Sequence, residues 1–417
     1  MTTANDIFDQ SFDSLSRLGL NEIPFTENPV DLASTTLRRV FTGRETELRQ
    51  VFNQFQNRER RRILIYGRLG IGKSAFLREV LSVLRRKRPQ MLTTCISLPK
   101  NLDLATTALI ALAREMADDP WAQQQLYQMG IPAKKELKER NAEMGRAFRM
   151  ISKIGERDLP ITKPSFPTVS LETLLERAQE KYPQGIVIAI DDLDKQPPGI
   201  VRQLMHDAQG MLKGRAWFIL TGRSTDTASD LLTTERGLFD LKVQLKELDS
   251  PTTYQMLINY LVSARFDNNC IDPQDPRCVL PFLPETAQRL CEVSSGKPRL
   301  FNRLGNIVLS TAADLQASLI TPEVLEQGLR QAGPILRQRA SLSTEEERVR
   351  SLLLQKGSLS DESISIAELA EMGVRSFSEL IPFLERLEEA DLAFQQDRDD
   401  AVSFAPALLP LAESNSI

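Results

Sequence analysis

Arg62-Ile-Leu-Ile-Tyr-Gly67-Arg-Leu-Gly70-Ile-Gly72-Lys73-Ser74-Ala-Phe76 is the stretch from which the rest of the chain can be placed. Ile63 to Tyr66 reads as a short apolar strand, and a helix is predicted to begin near Ala75. Between them stands the complete G-x-x-x-x-G-K-S pattern, in the strand–loop–helix setting that gives it meaning. The residue types follow from the chemistry. Glycines let the backbone curl, so that N–H groups along Gly67, Arg68, Leu69, Gly70, Ile71, Gly72, Lys73, Ser74 and Ala75 can face phosphate oxygens. The helix start adds partial positive charge. Lys73 can reach the β- and γ-phosphates, and Ser74 offers a hydroxyl to Mg2+. A plain glycine turn before a core helix would match some of these positions, but not all of them together with both flanks. The stretch implies a nucleoside triphosphate as ligand.

Working outward, a chain of 417 residues, 41% hydrophobic and 26% charged, has the composition of an ordinary globular protein, and its length is a prior for about two to four domains. No apolar run approaches the ~20 residues of a membrane span. The segment Met1 to Asp9 lacks the charged and apolar regions of a signal peptide. Cys95, Cys270, Cys278 and Cys291 show no metal-ligand spacing, and His206 is the only histidine. Zinc sites, histidine acid–base chemistry and a disulfide framework are therefore disfavoured. The expectation is a cytoplasmic protein with reduced thiols and no membrane contact. The net charge of −4 is unevenly spread. Residues 341–417 hold 6 Lys/Arg against 16 Asp/Glu, a balance of −10, which leaves +6 on residues 1–340.

Residues 1–40 read as an irregular N-terminal arm with weak helix potential around Phe12 to Leu18. Thr42-Gly43-Arg44-Glu45 opens a helix to about Asn57, with Thr42 and Glu45 as a potential capping box. Its place just upstream of the phosphate loop makes Gly43 and Arg44 candidate nucleotide contacts. A second strand is predicted from Met91 to Leu98, followed by helices over about 102–116 and 120–129. Residues 132–163 are charged and helical; they read first as a solvated insertion and second as a phosphate-backbone contact.

Gly185-Ile-Val-Ile-Ala-Ile-Asp191-Asp192 is the second decisive segment. A continuous apolar run of this length suits a central parallel strand buried on both faces. Carboxylates at its C-terminal end lie where an open α/β sheet binds ligand. Asp191 is the candidate to hold Mg2+ through water, and Asp192 the candidate to orient or deprotonate the attacking water. A further strand, Ala216 to Leu220, ends in Thr221-Gly-Arg223, so Thr221 or Arg223 could sense the γ-phosphate. Arg236, before a fifth strand at Val243 to Leu248, reads equally as an arginine finger acting on a neighbouring subunit or as a surface arginine. From Asp249 to about 334 the pattern is helical. Ser295-Gly296-Lys-Pro298-Arg299 opens one of those helices, with Arg299 able to face a phosphate. Thr344-Glu-Glu-Glu347 is a capping box that starts the last segment. That segment is predicted as helices at 345–356, 365–372 and 379–390, with Pro382 in a first turn, and a β-wing through Phe394 and Val402 to Phe404.

Gly43-Arg-Glu45, the phosphate loop, Asp191-Asp192, Leu220-Thr-Gly-Arg223, Gly296-Lys-Pro298 and the terminal helix–wing pattern follow in order from Val40 to the C-terminus. Together they resemble the additional-strand P-loop ATPases, in particular the STAND/NB-ARC signalling ATPases and the neighbouring origin-recognition-type AAA+ ATPases. The resemblance implies a parallel five-stranded AAA+-like α/β core over 41–248 after the arm 1–40. An α-helical lid over 249–340 and a winged helix over 341–417 would complete the chain. It further implies ATP/ADP with Mg2+, nucleotide contacts from Pro298 and Arg299, and a winged helix that closes over the ADP state. Asp-Asp stands where replication-type relatives favour Asp-Glu, which implies slow turnover, and Arg299 stands where NB-ARC proteins usually carry leucine.

Two functions follow. One is a slowly hydrolysing ATP switch whose nucleotide state controls homo-oligomer assembly or a protein partner not named by the sequence. The alternative is a DNA-binding ATPase of the initiator or transposition-regulator kind. A DNA-reading helix presents Lys and Arg to phosphates and base edges. Here the third helix offers Glu379, Glu385, Glu388, Glu389 and Asp391 against Arg386. DNA contact would then fall to the basic body, at 132–163 or Arg85-Arg-Lys-Arg88, and be sequence-independent.

Overall fold

The computed structural model describes residues 14–25, 41–56, 61–99, 101–131, 161–193, 196, 198–223, 238–265, 275–398 and 401–407. They fall into two compact units, Pro29–Lys246 in one and Met1–Asn28 with Glu247–Ile417 in the other. Most of the charged insertion, 132–160, and Arg236 lie outside the described residues.

In the first unit α1 (Glu45–Gln54) precedes β1 (Arg62–Gly67), α2 (Lys73–Lys87) and β2 (Met91–Ser97). Next come α3 (Leu104–Glu115), α4 (Pro120–Gln128) and α5 (Pro167–Lys181). β3 (Gly185–Asp191), α6 (Pro198–Asp207), α7 (Gln209–Leu212), β4 (Trp217–Gly222) and β5 (Leu241–Leu245) complete it. All five predicted strands form within two or three residues of their expected ends. They make one parallel sheet in the order β2-β3-β4-β1-β5. The side-chain period of two explains its layers. Ile186, Ile188 and Ile190 enter one core with Leu109, Leu112, Leu171 and Leu174. Val187 and Ala189 enter the other, with Phe76, Leu77 and Val80 of α2. Every residue of β3 and of β4 is buried, as strands covered by helices on both faces must be. Each fully buried Ile or Leu contributes about 1.5–3 kcal/mol before chain entropy is set against it.

The second unit is helical and then mixed. It runs through α8 (Ser250–Ala264), α9 (Pro284–Val293), α10 (Pro298–Asp314) and α11 (Pro322–Ala340). α12 (Thr344–Lys356), β6 (Leu359–Ser360), α13 (Ile366–Glu371), α14 (Phe377–Glu389), β7 (Ala393–Arg398) and β8 (Ala401–Pro406) follow. The last three strands form an antiparallel sheet, β6-β8-β7. Residues 14–25, read from the sequence as arm, place Leu18, Leu20 and Phe25 in the core of this unit. Phe25 stacks edge-on against Tyr260, Phe282 and Phe301, with ring centroids 5.6–6.3 Å apart.

Four local expectations are corrected. α1 is capped by Arg44 in the left-handed region, φ 67°, with no side-chain cap. Thr42 stands two residues too far upstream for its capping box. α12 is capped by Ser343 paired with Glu346, one residue earlier than expected. Pro382 is interior to α14, because burial of Phe377 starts that helix earlier than predicted. The carbonyl its missing N–H leaves behind belongs to Ser378, which is exposed to water. Cys278 is disulfide-bonded, so reduced thiols are not the rule, although Cys95 and Cys291 are free.

Candidate functional site

The phosphate loop leaves the C-terminal end of β1 and enters α2 at Lys73. Gly72 supplies the N-cap with φ 95°, a conformation open to glycine and strained for any L side chain. Its lack of a side chain leaves the first-turn N–H groups of α2 without a side-chain cap, which is the geometry that accepts an anion. Ile71 anchors the loop by entering the core beside Phe76. The Lys73 ammonium is buried and donates to the Gly67 carbonyl at 3.0 Å and the Arg68 carbonyl at 3.2 Å. A cation is thus held inside the loop by the loop's own backbone.

The strand order decides what faces it. β3 brings Asp191 to the same end of the sheet, where its carboxylate accepts a hydrogen bond from the Ser74 hydroxyl. The Thr221 hydroxyl, fully buried at the end of β4, donates to Asp191 Oδ1. The Asp192 N–H donates to Asp191 Oδ1 at 3.1 Å and to Thr221 Oγ1 at 3.0 Å. Asp192 itself is half-buried and sits in the left-handed region, φ 65°, a conformation Asp tolerates better than most residues. Burial raises the Asp191 carboxyl above the ordinary carboxylate range, and the Asp192 charge adds to that. The Thr221 and Ser74 hydrogen bonds and the Arg78 guanidinium pull the other way.

Two neighbours escaped sequence reading. Arg78 stands one helical turn beyond Ser74, an i, i+4 spacing that could have drawn attention to it. Cys95 pairs with Ala189 across the β2–β3 ladder. Burial, then the Asp191 charge, pushes its thiol up to about 12, so it stays protonated.

Other expected contact residues have partners within the protein. The Thr221 hydroxyl donates to Asp191 and accepts from the Asp192 N–H. Arg44 is a clamp: its guanidinium donates to the Ile71 carbonyl at 3.4 Å and the Lys246 carbonyl at 2.5 Å, tying the loop to the end of β5. Arg223 is half-buried, one residue past the Tyr66–Gly222 pairing of β1 with β4. Pro298 and Arg299 begin α10 in the other unit.

Among the described residues no His/Cys/Asp/Glu cluster is assembled for a metal. Mg2+ does not need one, since it takes one or two protein oxygens beside phosphates and water. The hard donors Ser74 and Asp191, already hydrogen-bonded to each other, fit that ion. No described helix is long and apolar enough to cross a membrane.

Residues 40–216 match the family model described as AAA ATPase domain. No curated protein matches the chain by sequence. Among solved structures, the ORC2 protein of Aeropyrum pernix in its ADPNP–ADP complexes is similar at TM-score 0.52 and 13% identity, over 93% of this chain and 94% of that one. The ORC1 protein of the same organism in complex with DNA gives TM-score 0.48 and 13% identity over 91% and 93%. A Walker-type ATPase of Pyrococcus abyssi gives 0.47 and 17% over 92% and 97%. A parallel sheet with one strand inserted between the phosphate-loop strand and the acidic strand, flanked by helices and followed by a helical region, is an Orc/Cdc6-like P-loop AAA+ fold.

Proposed function

We propose that the chain is a nucleotide-controlled switch of the AAA+/STAND kind, binding ATP or ADP with Mg2+ and hydrolysing ATP slowly. The observation that carries this reading is the convergence of Lys73, Ser74 and Asp191 at one end of the sheet. In this reading the uncapped N–H groups of α2 and the Lys73 ammonium hold the β- and γ-phosphates. Ser74 and Asp191 hold Mg2+, which supplies neutralisation of phosphate charge. Asp192, projecting beside Asp191, orients the attacking water and takes its proton, while Thr221 keeps the Asp191 carboxylate turned toward Ser74. The shorter reach of Asp at position 192 places water less well than Glu would, hence slow turnover. Arg223 is proposed as a γ-phosphate sensor, Pro298 and Arg299 as nucleotide contacts, and Arg236 as a finger donated to a neighbouring subunit. Residues 341–417 are read as a winged helix that packs on protein. The homo-oligomer, the cytoplasmic location and the domain limits at 40, 248 and 340 belong to the same proposal.

The exposed run Arg85–Arg88 at the end of α2 favours the second reading, sequence-independent DNA contact. Light scattering separates the two. Growth with a non-hydrolysable ATP analogue alone, lost in Lys73→Ala and Arg236→Ala, supports the switch. Growth only when duplex DNA is added replaces it with a DNA-dependent ATPase.

A further inference from the structure

Arg44 is held by constraints that a plain helix start does not need. It follows Gly43 into the left-handed region, φ 67° after 72°, and caps α1 without a side-chain bond. A residue other than glycine keeps that conformation where the surrounding structure over-determines it, and such positions cluster at functional sites. Its side chain is 8% exposed, and Nη1 stands 3.4 Å from Glu47 Oε1. A single nitrogen, Nη2, donates to both the Ile71 and the Lys246 carbonyls. Ile71 lies in the middle of the phosphate loop, between Gly70 at φ 75° and Gly72 at φ 95°. Lys246 follows the last residue of β5 and is also the last residue of the first unit.

The neighbours of those two carbonyls extend the link. At the loop's entry Gly67 pairs with Leu245, and a Cβ there would stand 2.5 Å from the Leu245 carbonyl oxygen and 3.1 Å from Ile71 Cγ2. Close packing of this kind passes a shift of the loop to the end of β5. Beyond Lys246, only Glu247 and Leu248 precede Asp249, the N-cap of α8. The Leu248 N–H donates to the Gly296 carbonyl at 2.9 Å, in the turn before α10. We propose that Arg44 is a positioning residue that couples the phosphate loop to the exit of β5, so that nucleotide at the loop sets the freedom of residues 246–249. The inference rests on the reading of the loop as a nucleotide site and adds how the state of that site leaves the first unit. The Nη2 bond to Ile71 is long, 3.4 Å, and the bond to Lys246 is short, 2.5 Å. Phosphate that fixes the loop backbone closes the long bond, and the planar, rigid guanidinium is then held from both sides. The coupling is a shared free energy, so a change at 246–249 returns to the loop with equal magnitude.

The test is amide exchange on the full chain, free and saturated with Mg·ADP, with binding followed by calorimetry. In the parent, ADP is expected to slow exchange across 246–249 by about fivefold or more, the lower end of ordinary coupling between sites. Arg44→Gly places at the cap a residue at home in the left-handed region, so the helix start is kept while the guanidinium is removed. Saturating ADP should then still protect 67–75 and leave 246–249 at the ligand-free rate. A merely structural arginine would change the exchange of both segments without changing their response to ADP. Unchanged exchange at 246–249 in the parent, or an undiminished response in Arg44→Gly, overturns the proposal. So does loss of ADP binding in an Arg44→Gly protein that melts with the parent, which would make Arg44 a direct nucleotide contact. ADP that binds the parent without reaching 246–249 sinks the coupling alone, whereas a parent that binds no ADP sinks the nucleotide reading and the coupling together.

Discussion

Asp191 concentrates the conflict between stability and function. Its carboxyl is buried at the end of β3 beside a second acid, so its ionised form is disfavoured in the ligand-free fold. A carboxyl whose folded pKa is raised stabilises fully below its unfolded value, near 4, and that contribution is lost as pH rises through the folded value. Asp191→Asn is therefore expected to raise the melting temperature of the ligand-free protein at pH 7, with the advantage shrinking as pH falls toward about 4. The same variant should lose Mg2+-dependent hydrolysis. Melting curves across that pH range check the first expectation, and an Asp191→Asn protein that melts lower than the parent at pH 7 contradicts it. The position of Asp191 at the buried end of a central strand was legible from the apolar run before it. The contacts of Thr221, Arg44 and Arg78 were not, because each depends on which atom its side chain meets across a ladder or a helix turn.

Among the elements, α10 shows how a short motif acts through packing. Gly296 has φ 68°, and a Cβ there would lie 2.0 Å from the Leu248 carbonyl, whose own N–H donates to the Gly296 carbonyl at 2.9 Å. Gly296→Ala is expected to cost about 2 kcal/mol or more, from left-handed strain plus a backbone clash. Chemical denaturation would read this as a lowered midpoint, and a midpoint equal to the parent's would show that the turn can relax. The sequence marked this turn from Gly296 and Pro298. It misplaced the starts of α1, α12 and α14 by one or two residues, since several Ser, Thr and Glu spacings compete there and burial of a single side chain such as Phe377 chooses among them. It also treated the acids of α14 as one repelling surface. Glu388 and Asp391 in fact turn inward, each answered by a partner, so part of the −10 balance of the last segment is internal to the fold.

For the whole molecule, the N-terminal residues 14–25 belong with the C-terminal half. A Cβ at Gly305 would meet the Phe25 ring at 2.6 Å, so helix α10 is shaped to receive that ring. Phe25→Ala should cost about 3–5 kcal/mol, the range for emptying an aromatic site in a core. Unfolding monitored by Tyr260 fluorescence or amide exchange in α10 would record it, and nucleotide affinity at the phosphate loop should stay at the parent value. An unchanged stability would mean that the N-terminal segment is dispensable to that core.

Much of the architecture is written locally. The phosphate loop, the five strands and the helical run after residue 249 follow from glycine placement, apolar runs and helix-start residues, all of which act between near neighbours along the chain. Strand order is of another kind. β1, β3 and β4 are equally apolar, so their composition leaves their sequence across the sheet open. Only the packing of helices on both faces inserts β4 between the other two, carrying Thr221 to Asp191 and Asp191 to Ser74. The docking of Phe25 on Gly305 and of Asp391 on Arg303 arises in the same way, from burial summed over many distant residues, a quantity no short stretch contains.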